Sequence, residues 1–209
     1  MRVLPSGSTA LLVEVDDLDE VMALYAALVD DPPPGVVELV PAARTLLLVT
    51  DPGATSLAEV ERAVRTASPR ADQRNHGELV EIPVTYDGED LAETADLLGS
   101  NAADLVRRHT SVEWTVAFCG FIPGFGYLTS SSWTVSMAPV PRRATPRTKV
   151  PAGAVALAGE FSGVYPRESP GGWQLLGRTS LTMFDPTRSE PAILRPGVRV
   201  RFVDEQASS

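Results

Sequence analysis

Between Cys119 and Trp173 the chain carries 7 prolines and 8 glycines in 55 residues. Proline inside a helix removes a donor and clashes with the preceding turn, and each helical glycine costs roughly 1 kcal/mol against alanine. No long helix can cross such a stretch. What it allows is short apolar runs (155–158 and 173–176) joined by tightly specified loops, and the same texture continues through 181–184 and 198–203. This part of the chain therefore predicts a small closed or half-closed β structure.

The first part reads differently. Residues 9–15 (TALLVEV) form a strand candidate, and Leu18, Val21, Met22, Tyr25 and Leu28 then recur at helical spacing until PPPG at 32–35 stops them. Residues 36–40 and 45–50 read as two strands. Ser56 with Glu59 has capping-box spacing and opens a helix to about residue 67. With a strand at 79–86 the order is β-α-β-β-α-β, the split βαβ or ferredoxin-like arrangement, although 79–86 can instead open the second domain. Asp90 with Glu93 repeats the capping spacing before a helix ending at Gly99. Asn101 with Asp104 opens another to about His109, and a strand follows at 112–118. The expectation is an α+β chain of two domains, 1–78 and 79–209.

Charge supports the division. Residues 1–109 hold 8 Lys+Arg and 20 Asp+Glu, whereas residues 110–209 hold 10 and 7. The net charge of −9 disfavours nucleic acid or an anionic membrane as partner, because binding phosphates needs a basic face. No apolar run is long enough to span a bilayer, and the N-terminal residues lack the pattern of a secretory signal. The lone Cys119 excludes an intramolecular disulfide and a cysteine-built zinc site, and fits a reducing cytoplasm. The two histidines, His76 and His109, make histidine-based metal catalysis a poor expectation, and no metal site is expected.

Three loops can carry chemistry. In GFIPGFGYL (120–128), Phe121, Ile122, Phe125 and Tyr127 surround glycines, so an apolar wall can form beside accessible backbone N–H groups; a buried hairpin corner satisfies the pattern equally. In PRRATPRTKVPAG (141–153), Arg142, Arg143, Arg147 and Lys149 place four cations in eight residues of an acidic chain. Guanidinium forks match carboxylates and phosphates, so this is an anion site, a partner rim, or a solvated loop. In GVYPRESPGGW (163–173), Gly171 and Gly172 allow close backbone approach, with Tyr165, Glu168 and Ser169 as polar ends. A nucleophilic serine needs a histidine base, and neither histidine lies in this half, so Ser169 reads as a binding group. Cys119 reads as an inert buried thiol. There is no P-loop, no Gly-x-Gly-x-x-Gly and no biotin-acceptor lysine sequence.

Taken together, FCGFIPGFGYL (118–128), PRRATPRTKVPAG (141–153) and GVYPRESPGGWQLLGRT (163–179) resemble the family of allophanate hydrolase subunit 1 and the B-type subunit of 5-oxoprolinase, which includes part of the carboxyltransferase region of urea carboxylase and a histidine-kinase inhibitor. The resemblance extends over nearly the whole chain. It implies an N-terminal α/β domain and a C-terminal cyclophilin-like β-barrel. It also implies a partner, either allophanate hydrolase subunit 2 or the C-type subunit of 5-oxoprolinase, with an A-type subunit in the oxoprolinase case. The implied groove lining is Pro123, Gly124, Phe125 and Tyr127, then Arg142, Arg147 and Lys149, then Tyr165, Ser169, Gly171, Gly172 and Trp173. One stretch departs from the family pattern: residues 159–163 read GEFSG, where members carry a glutamine.

The activity the resemblance implies first is ATP-dependent conversion of 5-oxo-L-proline to L-glutamate by a heteromeric complex in which this chain is inactive alone. An arginine of the 142–147 loop would hold the substrate carboxylate, and backbone N–H groups near Gly124 or Gly171 and Gly172 would polarise the lactam oxygen. The nucleotide chemistry falls to another member of the complex. Two other readings are a hydrolase component that acts on urea-derived substrates and a binding protein that inhibits a histidine kinase.

Overall fold

A computed structural model describes residues 1–68 and 78–206. His76 lies outside them. The chain divides into two compact units, Met1–Gln73 and Arg74–Ser209.

The first unit contains β1 (Arg2–Pro5), β2 (Ala10–Glu14), α1 (Leu18–Val29), β3 (Val36–Pro41), β4 (Thr45–Thr50) and α2 (Leu57–Thr66). Its four strands form one antiparallel sheet in the order β1-β2-β4-β3. The helices begin where local chemistry starts them. The Asp17 carboxylate accepts the Glu20 N–H at 2.9 Å ahead of α1. Ser56 and Glu59 form a reciprocal capping box ahead of α2, satisfying donors that a helix N-terminus leaves open. Val13, Val21, Leu46, Leu48, Val60 and Val64 are fully buried; of the residues read at helical spacing, Leu18, Val21, Met22 and Leu28 are buried and Tyr25 is half-buried. The connectivity differs from the sequence expectation at one edge. The place beside β2 is taken by the N-terminal strand β1 rather than by a strand following α2.

That later strand, β5 (Leu79–Val84), belongs to the second unit. There it is followed by α3 (Leu91–Leu97), α4 (Ala102–Ser111), β6 (Trp114–Cys119), β7 (Gly126–Thr129), α5 (Ser131–Ser136), β8 (Arg147–Val150), β9 (Ala154–Ala158), β10 (Phe161–Val164), β11 (Ser169–Gly171), β12 (Gln174–Arg178) and β13 (Arg199–Asp204). Seven strands form a sheet in the order β12-β9-β10-β7-β6-β13-β5, with β13 and β5 its parallel pair, and β8 and β11 form a separate ribbon. The two edges meet: Thr85 and Arg178 exchange backbone hydrogen bonds of 2.9 and 3.0 Å, and the Gly88 N–H donates to the Leu176 carbonyl at 3.0 Å. The sheet thus curls into a nearly closed barrel, which removes the unpaired edges an open sheet would expose.

Strand β9 (AVALA) is buried on both faces, and the alternation explains how. Val155 and Leu157 enter the main core with Trp114, Leu128, Trp133, Val164, Leu176 and Phe202. Ala154, Ala156 and Ala158 enter a second cluster with Phe125, Tyr165, Trp173 and Leu175. Large side chains fill one face and methyl groups the other, which leaves the second face room for aromatic rings. Residues 181–184, expected as a strand, are irregular apart from a single bridge between Phe184 and Ala192. The short helix α5 was not expected, since of its six residues only Trp133 is buried.

Candidate functional site

The aromatic cluster is assembled from three separate segments. Phe125 comes from the end of the β6–β7 turn and Tyr127 from β7, Tyr165 from the segment after β10, and Trp173 from the turn between β11 and β12. Phe125 lies edge-on to Tyr127, Tyr165 and Trp173 at centroid distances of 5.1, 5.3 and 5.2 Å. Tyr127 stacks on Phe118 at 4.4 Å and meets Phe161 edge-on at 5.7 Å. Phe161 is the departure from the family pattern, and here it contributes a ring to the wall. Edge-to-face pairs of this kind add stabilisation beyond the area they bury.

Beside the rings, the basic loop is stitched to the ribbon. Arg147 sits opposite Gly171 in the β8–β11 register, the Arg143 N–H donates to the Gly172 carbonyl at 2.8 Å, and Gln174 Nε2 donates to the Pro141 carbonyl at 3.0 Å. Gly171 is required by proximity: a Cβ there would lie 2.3 Å from the Tyr165 hydroxyl.

Asp90 binds the loop from below. Its carboxylate accepts Arg147 at 2.8 and 2.9 Å, Arg143, and the Leu175 N–H at 2.8 Å. Burial disfavours its charge, but the bonds from Arg147 and Leu175 and the nearby guanidinium charges outweigh burial and hold the carboxyl below its ordinary range. Arg147 also bonds Glu89 at 3.0 Å, so its fork is occupied by carboxylates of its own chain. The spacing of Asp90 and Glu93 suggested an N-cap, yet Asp90 makes no side-chain capping bond on α3 because its oxygens are engaged here.

The structure therefore brings together Phe125, Tyr127, Tyr165, Ser169, Gly171, Gly172, Trp173 and, above them, Arg142. Arg142 is exposed and makes no ion pair among the described residues. Its charge acts on both tyrosine hydroxyls: burial raises Tyr127 and Tyr165, and Arg142 pulls both back. Ser169 is buried, and its Oγ has no hydrogen-bond partner among the described residues. Lys149 points away into an exposed pair with Glu168 at 3.1 Å. Pro123 is exposed, and Gly124, at φ 85°, packs against Phe184 rather than the aromatic rings.

Sequence reasoning missed Asp90 and a second feature. In the main core Tyr86 Oη lies 2.8 Å from His109 Nδ1, and His109 Nε2 lies 2.9 Å from Ser162 Oγ. Ser162 donates onward to the Ala156 carbonyl at 3.4 Å, so a consistent proton order has Tyr86 donating to Nδ1 and Nε2–H donating to Ser162. Burial holds His109 neutral, down to about 3. The ring stacks on Phe202 at 4.4 Å and is flanked by Trp114 and Trp133, so it is sealed from the site. Cys119 is pushed up to about 11 by burial and stays a thiol. The site accordingly offers binding groups (rings, hydroxyls, one guanidinium) rather than a nucleophile with its base.

A family model described as carboxyltransferase domain, subdomain C and D, matches residues 1–194. The B-type subunit of 5-oxoprolinase from Escherichia coli O157:H7 is 40% identical over 210 residues, spanning 96% of this chain and 94% of that protein. The crystal structure of TTHA0988 superposes with a TM-score of 0.74 at 37% identity, covering 93% of this chain, which spans only 39% of that longer chain. The K. lactis urea amidolyase superposes with a TM-score of 0.75 over 97% of this chain and 14% of its own, but at 18% identity it shares the fold alone. The barrel, the three loop motifs and these matches along nearly the whole length establish that the chain belongs to the carboxyltransferase domain, subdomain C and D, family.

Proposed function

We propose that this chain is the B-type subunit of a 5-oxoprolinase, an enzyme that opens 5-oxo-L-proline to L-glutamate with conversion of ATP to ADP and phosphate. The observation that carries this reading is the 40% identity to the corresponding E. coli 5-oxoprolinase protein over 96% of this chain. The second unit is read as a cyclophilin-like barrel whose aromatic cluster receives the lactam. Phe125, Tyr165 and Trp173 are buried and form the floor of the cluster, so the ring faces offered to a flat lactam are those of the partly buried Tyr127 and Phe161 and the exposed Phe121.

ATP supplies the phosphoryl group that activates the lactam oxygen. With Arg143 and Arg147 engaged by Asp90 and Lys149 by Glu168, the basic loop retains one free cation, too few to hold a triphosphate. The nucleotide chemistry is therefore assigned to the A-type partner, and this chain, paired with the C-type partner, binds and orients the substrate. It is inactive alone and works in the cytoplasm.

The test is glutamate release from 5-oxo-L-proline by the complex of this chain with its C-type and A-type partners. Release that needs ATP and stops when this chain is left out is the expected result. No release from a folded, assembled complex would overturn the reading and favour urea-derived substrates or a regulatory role.

A further inference from the structure

Four cations stand in the loop over the aromatic cluster, and the structure divides them sharply. Arg143 and Arg147 share the Asp90 carboxylate, Arg147 also holds Glu89, and Lys149 pairs with Glu168. Only Arg142 among these four is without a carboxylate among the described residues. Its backbone is nevertheless fixed on both sides, since the carbonyl of Pro141 accepts Gln174 Nε2 and the N–H of Arg143 donates to the Gly172 carbonyl. An anchored backbone under an uncommitted guanidinium is preorganised for an anion that the chain itself does not supply.

Two further features lie in the segments that build the cluster. Phe121, at the neighbouring turn, adopts φ 66°, a left-handed conformation that a side chain other than glycine adopts at a cost. It is 55% exposed, with its ring edge-on to Phe125 at 5.6 Å and Tyr165 at 6.3 Å, so the turn sustains a costly backbone conformation that leaves an apolar side chain in solvent beside the cluster. Ser169 lies on β11 opposite Val150, two residues before Gly171. Its buried Oγ is without a hydrogen-bond partner among the described residues.

We propose that Arg142 is the residue of this chain that binds the substrate carboxylate, with Phe121 as the apolar wall over the ring and the partly buried Tyr127 beside the bound anion. The inference rests on the reading above that the substrate is a lactam carrying a carboxylate. It assigns the recognition of that carboxylate to Arg142 and takes it away from Arg147, whose fork is filled from within the chain.

The experiment uses the assembled complex, with 5-oxo-L-proline as substrate and 2-pyrrolidinone, the same lactam without its carboxylate, as competitor. Arg142→Ala should raise KM for 5-oxo-L-proline by about ten- to a hundredfold, the scale of one charge-assisted contact, with kcat held within about threefold. The inhibition constant of 2-pyrrolidinone should stay within about twofold, because that molecule has nothing for Arg142 to hold. Arg142→Lys should restore part of the loss. An unchanged KM in an active complex, or equal weakening of both molecules, overturns the assignment. A wild-type complex that releases no glutamate instead removes the functional reading, and this inference falls with it. Should Arg142→Ala fail to assemble, the same comparison with Arg142→Gln decides the question.

Discussion

Asp90 shows how one side chain can organise a site without facing its ligand. It is almost completely buried, and it neutralises two arginines while accepting a backbone N–H from β12. Removing one partner of a buried ion pair leaves the other charge uncompensated, which costs about 3–5 kcal/mol. Asp90→Ala should therefore lower the urea midpoint of the second unit by an amount corresponding to that range, read by tryptophan fluorescence. Arg142→Ala should leave the same midpoint within about 0.5 kcal/mol, as expected for an exposed side chain with no ion pair. Equal effects of the two substitutions would show that Asp90 does not hold the loop. Ser169→Ala, which deletes a buried hydroxyl with no hydrogen-bond partner among the described residues, should melt at or above the wild-type temperature. At this scale the sequence pointed to the loop arginines through their density, but not to their partner. Asp90 lies 57 residues before Arg147 at a position where local spacing offers it a helix to cap, and local spacing carries no information about a contact that distant.

The elements most legible in the sequence were those governed by local chemistry. The helix at Leu18–Val29 follows from its apolar period, and those at Leu57–Thr66 and Ala102–Ser111 follow from caps that the structure shows bonded. Strand β1 was not read because RVLP is short and only partly buried, and the assignment of β5 to one sheet or the other depends on a parallel partner, β13, at the far end of the chain. The seam of the barrel is equally invisible from sequence, yet one residue marks it. A Cβ on Gly177 would stand 2.4 Å from the Thr85 carbonyl oxygen, so only glycine lets the two edges approach. Gly177→Ala should open this seam and lower the unfolding free energy of the second unit by roughly 2 kcal/mol or more, within the overpacking range. Amide hydrogen exchange would locate the damage. Faster exchange at Thr85 and Arg178, with Val155 and Leu157 still protected, is the expected pattern, whereas uniform protection equal to wild type would show that the approach is not tight.

At the scale of the molecule, the charge division read from the sequence falls at 109/110, some 36 residues beyond the boundary at 73/74 between the two compact units, and one buried imidazole makes the second unit sensitive to acid. His109 is held neutral down to about 3 in the folded state by burial, against an ordinary value of 6.5. Between those values the unfolded chain binds a proton that the folded chain refuses, so stability rises with pH across the interval. The contribution is complete above pH 6.5 and is lost as pH falls towards 3, at about 1.4 kcal/mol per unit once well below 6.5. Asp90 has the opposite chemistry and a lower window. Its depressed carboxyl stabilises the fold above the ordinary carboxylate value and loses that effect only as pH falls through its folded value. The range from pH 7 to pH 5 thus isolates the imidazole. All three tryptophans, Trp114, Trp133 and Trp173, lie in the second unit, and two of them pack around His109, so their fluorescence follows the right part of the chain. In a His76→Gln background, where His109 is the only histidine, the unfolding free energy measured this way should fall by roughly 2 kcal/mol between pH 7 and pH 5. A value that stays constant would mean that the Tyr86–His109–Ser162 chain admits a proton in the folded state, and the sealed core around it would have to be more open than its stacking on Phe202 implies.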